Sequence, residues 1–240
     1  MWSRKELKER AKAILAVNYW NAFLISIIIA LAGGNNLLSG GNHHFNNSRH
    51  SIFFNFYHNS FIHWKVMSFS LSAILILLAI RIFIGYCLEV GGRKYFINSA
   101  QYLYDKKCFS FGFYEEHYLG IIKAMLATKI LIFIWSLLLV IPGIIKSYSY
   151  RMVPYILADN PNIGVEKAIS LSNEMTMGHK LDMFVLDLSF LGWYLLGTLA
   201  FGIGIFFVMP YDNATKAELY LSLRENALRN NLCSYNDLLL

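Results

Sequence analysis

Charged residues are scarce in this chain of 240 residues: they make up 15% of it, against about a quarter in ordinary globular domains. Hydrophobic residues make up 56%, and the mean hydropathy is +0.43. A polytopic membrane protein needs such a composition, because each charge placed in the bilayer core is costly. The shortage of charge therefore argues against a water-soluble domain and places the chain in the membrane class.

Motifs that would identify a reaction are missing as well. The sequence contains no H-E-x-x-H, Walker loop, G-x-S-x-G or G-x-G-x-x-G pattern. The three cysteines, Cys87, Cys108 and Cys233, are far apart and odd in number, so they predict neither a disulfide framework nor a zinc knuckle. We therefore expect no cofactor. The net charge of +6 comes from scattered Lys and Arg without a nucleic-acid reader motif, so we expect anionic lipid and not nucleic acid as the partner.

The most informative stretch is 130–155. It begins with sixteen uncharged residues, Ile130–Ile145, which are broken by the pair Pro142-Gly143. A tyrosine-rich basic segment and Pro154 follow directly. A single membrane anchor has no need of such a break, so the stretch predicts two helices that meet at a bend.

Apolar and polar segments alternate along the rest of the chain. Residues 1–18 predict an amphipathic membrane-surface helix, with Ser3 and Glu6 at the spacing of a capping box and Leu7, Ala11, Ile14 and Leu15 on one face; a solvated lead-in to the first span is the alternative. Residues 19–224 form a single predicted membrane domain, which includes a polar loop at 33–65, and 225–240 form a cytoplasmic tail. The predicted elements are helices at 19–32, 66–90, 119–141, 144–158 and 165–175, with a second polar loop at 91–118. The last apolar run, 183–208, is interrupted at Gly202-Ile203-Gly204, and a short helix at 204–220 follows the break.

The fold class is all-α, a polytopic helix bundle with six or four membrane helices. Lysine and arginine mark cytoplasmic loops. Four crossings place 12 of these residues inside and 6 outside, whereas six crossings, with turns at Pro142-Gly143 and at Gly202–Gly204, place 14 inside and 2 outside. The sharper asymmetry favours six helices, with both termini inside. Two of the six, 144–158 and 204–220, are short and polar for full crossings.

Ionisable residues at membrane depth are candidate functional residues. Those expected in the bundle are Arg81, Lys129, Arg151 and Asp187. In the six-helix arrangement Arg81 and Asp187 reach the same depth, so we expect them to form an ion pair.

Two further groups of residues suggest sites only weakly. His43, His44 and His50 lie in the polar loop, but their spacing matches no ordered metal site, and a histidine-rich polar loop is the simpler interpretation. Tyr148 and Tyr155 lie seven residues apart, with Tyr150 between them. An interfacial tyrosine belt is the simpler interpretation, and the lining of a cavity is the alternative.

Several segments taken together resemble a known family. The segments are IWSLLLVIPGIIKSYSYRMVPYILADNP, EKAISLSNEMTMGHK, FVLDLSFLGWYLLG and GIGIFFVMPYDNATKAELYLSL, all within 134–223. They resemble the bacterial integral membrane proteins grouped as domain of unknown function 975. The resemblance is looser at ELKERAKAILAVNYWNAFL and VGGRKYF, and it implies no activity, ligand or catalytic residue.

The sequence thus predicts a multi-pass protein of a bacterial cytoplasmic membrane. We expect it to be non-enzymatic and to handle a small solute, lipid or peptide, or to modulate a membrane complex. A lipid-active enzyme and a structural or assembly protein are the alternatives. Its expected partners are a bilayer with an anionic inner leaflet and either a membrane protein or a small ligand.

Overall fold

A computed structural model describes residues 2–32, 60–103, 106–199 and 202–239. Within these ranges the chain is helical and contains no strand. The helices are α1 (Arg4–Leu31), α2 (Ser60–Ile80), α3 (Tyr86–Ala100), α4 (Glu115–Leu138), α5 (Val140–Ser149), α6 (Val153–Asp159), α7 (Val165–Met175), α8 (Lys180–Leu199) and α9 (Ile203–Arg229), with a π-helix at Arg81–Gly85 and 3₁₀-helices at Lys106–Phe113 and Tyr235–Asp237. Four candidate spans are long and apolar enough to cross a membrane: Arg4–Leu31, Ser68–Ala100, Glu115–Leu138 and Lys180–Leu199.

Helix α1 begins as its sequence predicts. The Ser3 side chain accepts a hydrogen bond from the backbone N–H of Glu6, at 3.2 Å, and caps the helix. The predicted apolar face is buried, with Leu7 and Ala11 in the core, and the helix packs on α9. The protein itself thus covers this face, and the membrane-surface position of residues 1–18 stays a prediction. A kink at Asn18 separates this part of α1 from the more exposed residues that follow.

Helices α2 and α3 form one continuous helical rod that passes through the π-helix. Most side chains of 68–84 are exposed, whereas most of those of 85–100 are buried. The predicted polar loop at 91–118 is wrong for its first ten residues, which belong to α3. The reason lies in packing: a Cβ on Gly92 would sit 2.4 Å from Ile29 of α1, so the glycine allows two helices to approach closely.

A sharp bend separates α4 from α5. The backbone is extended at Leu139, and Pro142 and Gly143 lie in the first turns of α5. The break thus comes three residues before the proline, which is tolerated near a helix start because its missing N–H would have no partner there. Helix α5 folds back on α4: a Cβ on Gly143 would sit 2.7 Å from the Cα of Ser136.

A second hairpin joins α8 to α9. Gly202 precedes α9 with φ +77°, a conformation that favours glycine. Gly197 and Gly204 face each other so closely that a Cβ on Gly204 would sit 2.6 Å from the Cα of Gly197. The predicted tail is also helical as far as Arg229, since α9 runs past the predicted end of its span.

Polar contacts hold α6, α7 and the C-terminal segment in place. Helix α7 spans Val165–Met175, as its sequence predicts. Asp159, at the end of α6, accepts hydrogen bonds from Tyr220 at 2.6 Å and from Arg224 at 2.9 Å, which fastens α6 to α9. Near the C-terminus Lys167 donates to Asp237 at 2.5 Å. This bond, aided by Ser234, holds the pKa of Asp237 at about 2.

Candidate functional site

A cavity of about 650 Å³ lies where α3, α4, α5, α6, α8 and α9 meet. Much of its lining is apolar or aromatic, but charged residues from four of these helices and from the turn between α5 and α6 line it as well. The charged lining residues are Glu89, Arg93, Lys129, Arg151, Asp187, Asp212 and Lys216. A partly apolar cavity with a few convergent polar groups is the usual form of a small-molecule site.

The strongest ion pair in the cavity wall joins Arg151 to Asp187. The guanidinium donates to both carboxylate oxygens, at 2.6 and 2.8 Å, and the hydroxyl of Tyr148 donates to the same carboxylate at 2.9 Å. The predicted pair of Arg81 with Asp187 is therefore wrong. Arg81 instead lies 3.4 Å from Glu89, eight residues along the same rod, because the π-helix carries both side chains to one side.

A second charged group lies beside the first, on α9. Lys216 donates to Asp212 at 2.6 Å, and the hydroxyl of Tyr194 donates to the same oxygen at 3.0 Å. The Lys216 ammonium is also 3.9 Å from Asp187, which links the two groups. The sequence prediction did not single out Asp212 or Lys216, although four residues separate them, so that they share one face of a helix.

Two polar atoms of the cavity lining lack partners within the described part of the chain. They are Oδ1 of Asp212 and the hydroxyl of Tyr155. Both residues are only 2% exposed. Buried polar atoms are nearly always hydrogen-bonded, and leaving one unsatisfied costs roughly 1–3 kcal/mol. Both residues line the cavity, so these two unsatisfied atoms lie close behind its wall.

From Arg93, which lines the cavity, a buried polar chain runs across three helices. Arg93 of α3 donates to Asn213 at 2.8 Å, and Asn213 donates to Ser26 of α1 at 3.0 Å. The Arg93 guanidinium also lies 5.1 Å from the centre of the Tyr155 ring. The sequence placed Arg93 in a loop, and no local pattern indicates its partner 120 residues away.

Lys129 reaches the cavity from α4. Among the residues that the structure describes, no carboxylate lies within ion-pair distance of this lysine. Its side chain is half-buried and shares its wall with Thr128 and Ile132. A cation in this position attracts an anion or another hydrogen-bond acceptor.

The three tyrosines of the segment at 148–155 all line the cavity. This agrees with the alternative interpretation, the lining of a cavity, whereas the interfacial belt stays a prediction. The turn between α5 and α6 brings Tyr148 and Tyr155 to different parts of the same cavity.

Part of the cavity lining is continuous with the exposed apolar surface of α8. Phe184, Leu188 and Leu191 line the cavity and are nevertheless 46%, 52% and 43% exposed. The polar interior of the cavity is thus bordered by side chains that also face outward.

The candidate metal ligands His43, His44 and His50 lie outside the described residues. Within the described ranges, no group of three metal-binding side chains is found.

An all-helical chain with four helices of membrane-spanning length and a charged internal cavity belongs to the class of candidate multi-pass membrane proteins. The chain belongs to the family described as protein of unknown function (DUF975), whose model matches residues 57–227. The resemblance read from the sequence is thereby confirmed. Comparisons with curated proteins and with solved structures found no match.

Proposed function

We propose that this protein is a non-enzymatic, multi-pass protein of a bacterial cytoplasmic membrane that binds the polar head of an amphiphile in the cavity between α4 and α8. The observation that carries the proposal is the joining of two features in one cavity. Asp212 and Tyr155, each with a buried polar atom without a partner in the described residues, line it, and exposed apolar side chains of α8 border it. An amphiphile would match both, with its head inside and its chain along α8.

The membrane arrangement that we propose has six helices, with both termini inside. The four long apolar helices are joined by α5 and by the first half of α9. The close approach of Gly143 to Ser136 and of Gly204 to Gly197 supports this arrangement, because both short segments run back along an apolar neighbour. Ile141 and Ile203 on these segments are exposed, as side chains in contact with lipid would be.

Binding fits the geometry better than catalysis does. A lipid-active enzyme needs an acid or base poised in the cavity. Asp187 is held by both nitrogens of Arg151 and by Tyr148. Asp212 is compensated by Lys216 and accepts a hydrogen bond from Tyr194, so each carboxylate already has a cation and a tyrosine as partners. A purely structural role would be favoured by a packed, dry interior, whereas the interior here contains a cavity of about 650 Å³.

The experiment blocks the cavity without touching its charges. Leu188→Trp places a large ring at the border of the cavity, and Leu195→Trp places the same ring on α8 away from the lining, at a position 59% exposed. Phospholipid retained by each purified protein through a detergent wash is counted by native mass spectrometry. We expect retention by the wild type and by Leu195→Trp, and loss by Leu188→Trp. Equal retention in all three proteins would contradict the proposal.

A further inference from the structure

We infer that the bound head is an anion that also carries a hydroxyl group, as the head of a glycerol-bearing anionic phospholipid does. This inference rests on the proposed function, since it assigns a ligand class to the same cavity. The same chemistry, a phosphate with a neighbouring hydroxyl, also occurs in a soluble glycerol phosphate. The experiment below separates the two sources.

The balance of charge in the cavity is the first argument. Four of the lining residues are basic and three are acidic. Arg151 and Asp187 compensate each other, as do Lys216 and Asp212. Glu89 is compensated from outside the lining by Arg81. The cavity region therefore has an excess of positive charge, which attracts an anion and repels a cation.

The second argument is the position of Lys129. Lys129 lines the cavity from α4, and among the described residues no carboxylate lies within ion-pair distance of it. A phosphate oxygen there would form a charge-assisted hydrogen bond, which is among the stronger kinds. The hydroxyl of Tyr155, which is buried and has no partner within the described ranges, supplies a further donor to such an anion.

The third argument is the unsatisfied oxygen of Asp212. A carboxylate oxygen can only accept, so its missing partner is a donor. An ammonium group is disfavoured as that donor, because Lys216 already lies at 2.6 Å from the same carboxylate. A hydroxyl is a neutral donor and fits the place. A hydrogen bond to a charged group contributes roughly 1.5–3 kcal/mol, so the hydroxyl should strengthen binding by at least about tenfold.

The experiment compares three short-chain phospholipids of matched chain length. Phosphatidylglycerol has the anion and the hydroxyl, phosphatidylmethanol has the anion alone, and phosphatidylcholine is zwitterionic without a hydroxyl. Each is titrated against the full chain in a neutral detergent, and dissociation constants are measured by native mass spectrometry. We expect phosphatidylglycerol to bind about tenfold more tightly than phosphatidylmethanol, and phosphatidylcholine to bind most weakly.

A variant pair tests the assigned cation. Lys129→Gln should weaken phosphatidylglycerol binding by about tenfold. Lys123→Gln, an exposed position on the same helix outside the lining, should leave it unchanged. The soluble source is tested with glycerol 1-phosphate, which has no acyl chains. If it binds as tightly as phosphatidylglycerol, the natural ligand of the site is water-soluble and not a lipid.

The outcomes separate this inference from the proposed function. If phosphatidylcholine binds as tightly as phosphatidylglycerol, the assigned head is wrong, although the amphiphile site stands. If none of the three lipids binds and Leu188→Trp has no effect, the proposed function fails as well. The comparison of lipids uses the unchanged chain, so it decides the question even if Lys129→Gln does not fold.

Discussion

Arg151 and Asp187 meet across two helical segments, with the guanidinium donating to both carboxylate oxygens at 2.6 and 2.8 Å. The two residues are 36 positions apart, and the pair ties the end of the α4–α5 hairpin to the α8–α9 hairpin. Its side chains are 21% and 30% exposed, so the pair is mostly removed from water. It is therefore a structural element of the cavity wall.

Removing one partner of this pair should destabilise the protein more than removing both. Asp187→Leu leaves the Arg151 charge without its partner, which in a buried pair costs roughly 3–5 kcal/mol. We expect the lower end of that range here, because both groups keep some exposure. The double variant Arg151→Met, Asp187→Leu should recover much of the loss. Thermal unfolding of the detergent-purified variants measures both effects.

The control for that experiment is an exposed pair in the same chain. Lys5 and Glu9 lie 4.0 Å apart on the surface of α1. Glu9→Leu should change the midpoint of unfolding very little, since exposed pairs contribute roughly 0–1 kcal/mol. A double variant at 151 and 187 that is no more stable than Asp187→Leu would show that the pair does not act as described.

The contact of Gly197 with Gly204 should be intolerant of a methyl group. A Cβ on Gly197 would lie 2.8 Å from the backbone carbon of Gly204. Gly197→Ala therefore forces α8 and α9 apart, and we expect a loss of monodisperse protein in size-exclusion chromatography. Gly192→Ala, on the same helix with nothing within 4 Å, should be neutral or stabilising by up to about 1 kcal/mol. Equal behaviour of the two variants would disprove the close contact.

The attachment of the C-terminus should depend on pH in the acidic range. Lys167 holds the pKa of Asp237 at about 2, below its usual 3.8. A carboxyl whose pKa is lowered by folding stabilises the fold above its unfolded pKa, and that stabilisation is lost as the pH falls toward the folded value. We therefore expect the protection of the amides at 234–239, measured as the exchange rate relative to the intrinsic rate at each pH, to fall between about pH 4 and pH 2. Asp237→Asn should remove this pH dependence and exchange fast throughout. An unchanged profile in the variant would refute the assignment.

The six-helix arrangement predicts the side of the membrane on which α7 lies. Ser170 is exposed on α7, and six crossings place it inside, whereas four place it outside. We introduce Ser170→Cys in a chain without native cysteines and label whole cells with an impermeant thiol reagent. Protection before lysis and labelling after it are expected. Asn47→Cys, in the loop that both arrangements place outside, should label in whole cells. Labelling at position 170 before lysis would rule out six crossings.

The sequence predicts best those features that depend on neighbouring residues. Helix α7 matches its prediction because its signals are local: an apolar stripe runs along it, and a glycine precedes its first residue. The α4–α5 bend lies within three residues of its prediction because Pro142 makes a long helix unfavourable. Ser3 caps α1 for a similarly local reason.

The cavity depends on distant partners and was predicted only in part. Lys129, Arg151 and Asp187 attract notice because each stands in apolar surroundings. Asp212 and Lys216 do not, because polar neighbours make their segment resemble a tail. Arg93 was misplaced for the same reason, since its contacts, Asn213 of α9 and the Tyr155 ring of α6, lie far away in the sequence. Hydropathy along the chain reports only on the residues next to each other in sequence, whereas the contacts that form the cavity join residues that are far apart in the sequence.

The π-helix at Arg81–Gly85 sets the rotational phase of everything that follows it in the rod. A π-turn behaves as one additional residue in an α-helix, and one residue corresponds to about 100° of rotation. The π-turn accommodates that residue by widening, so deleting Ile84 and restoring regular α-helix would leave Glu89 and Arg93 facing nearly as they do now. Forcing all five residues into α-helix would instead swing both side chains by about 100° relative to α2. The wider turn at 81–85 therefore fixes the direction in which the cavity-lining half of the rod faces relative to its exposed half.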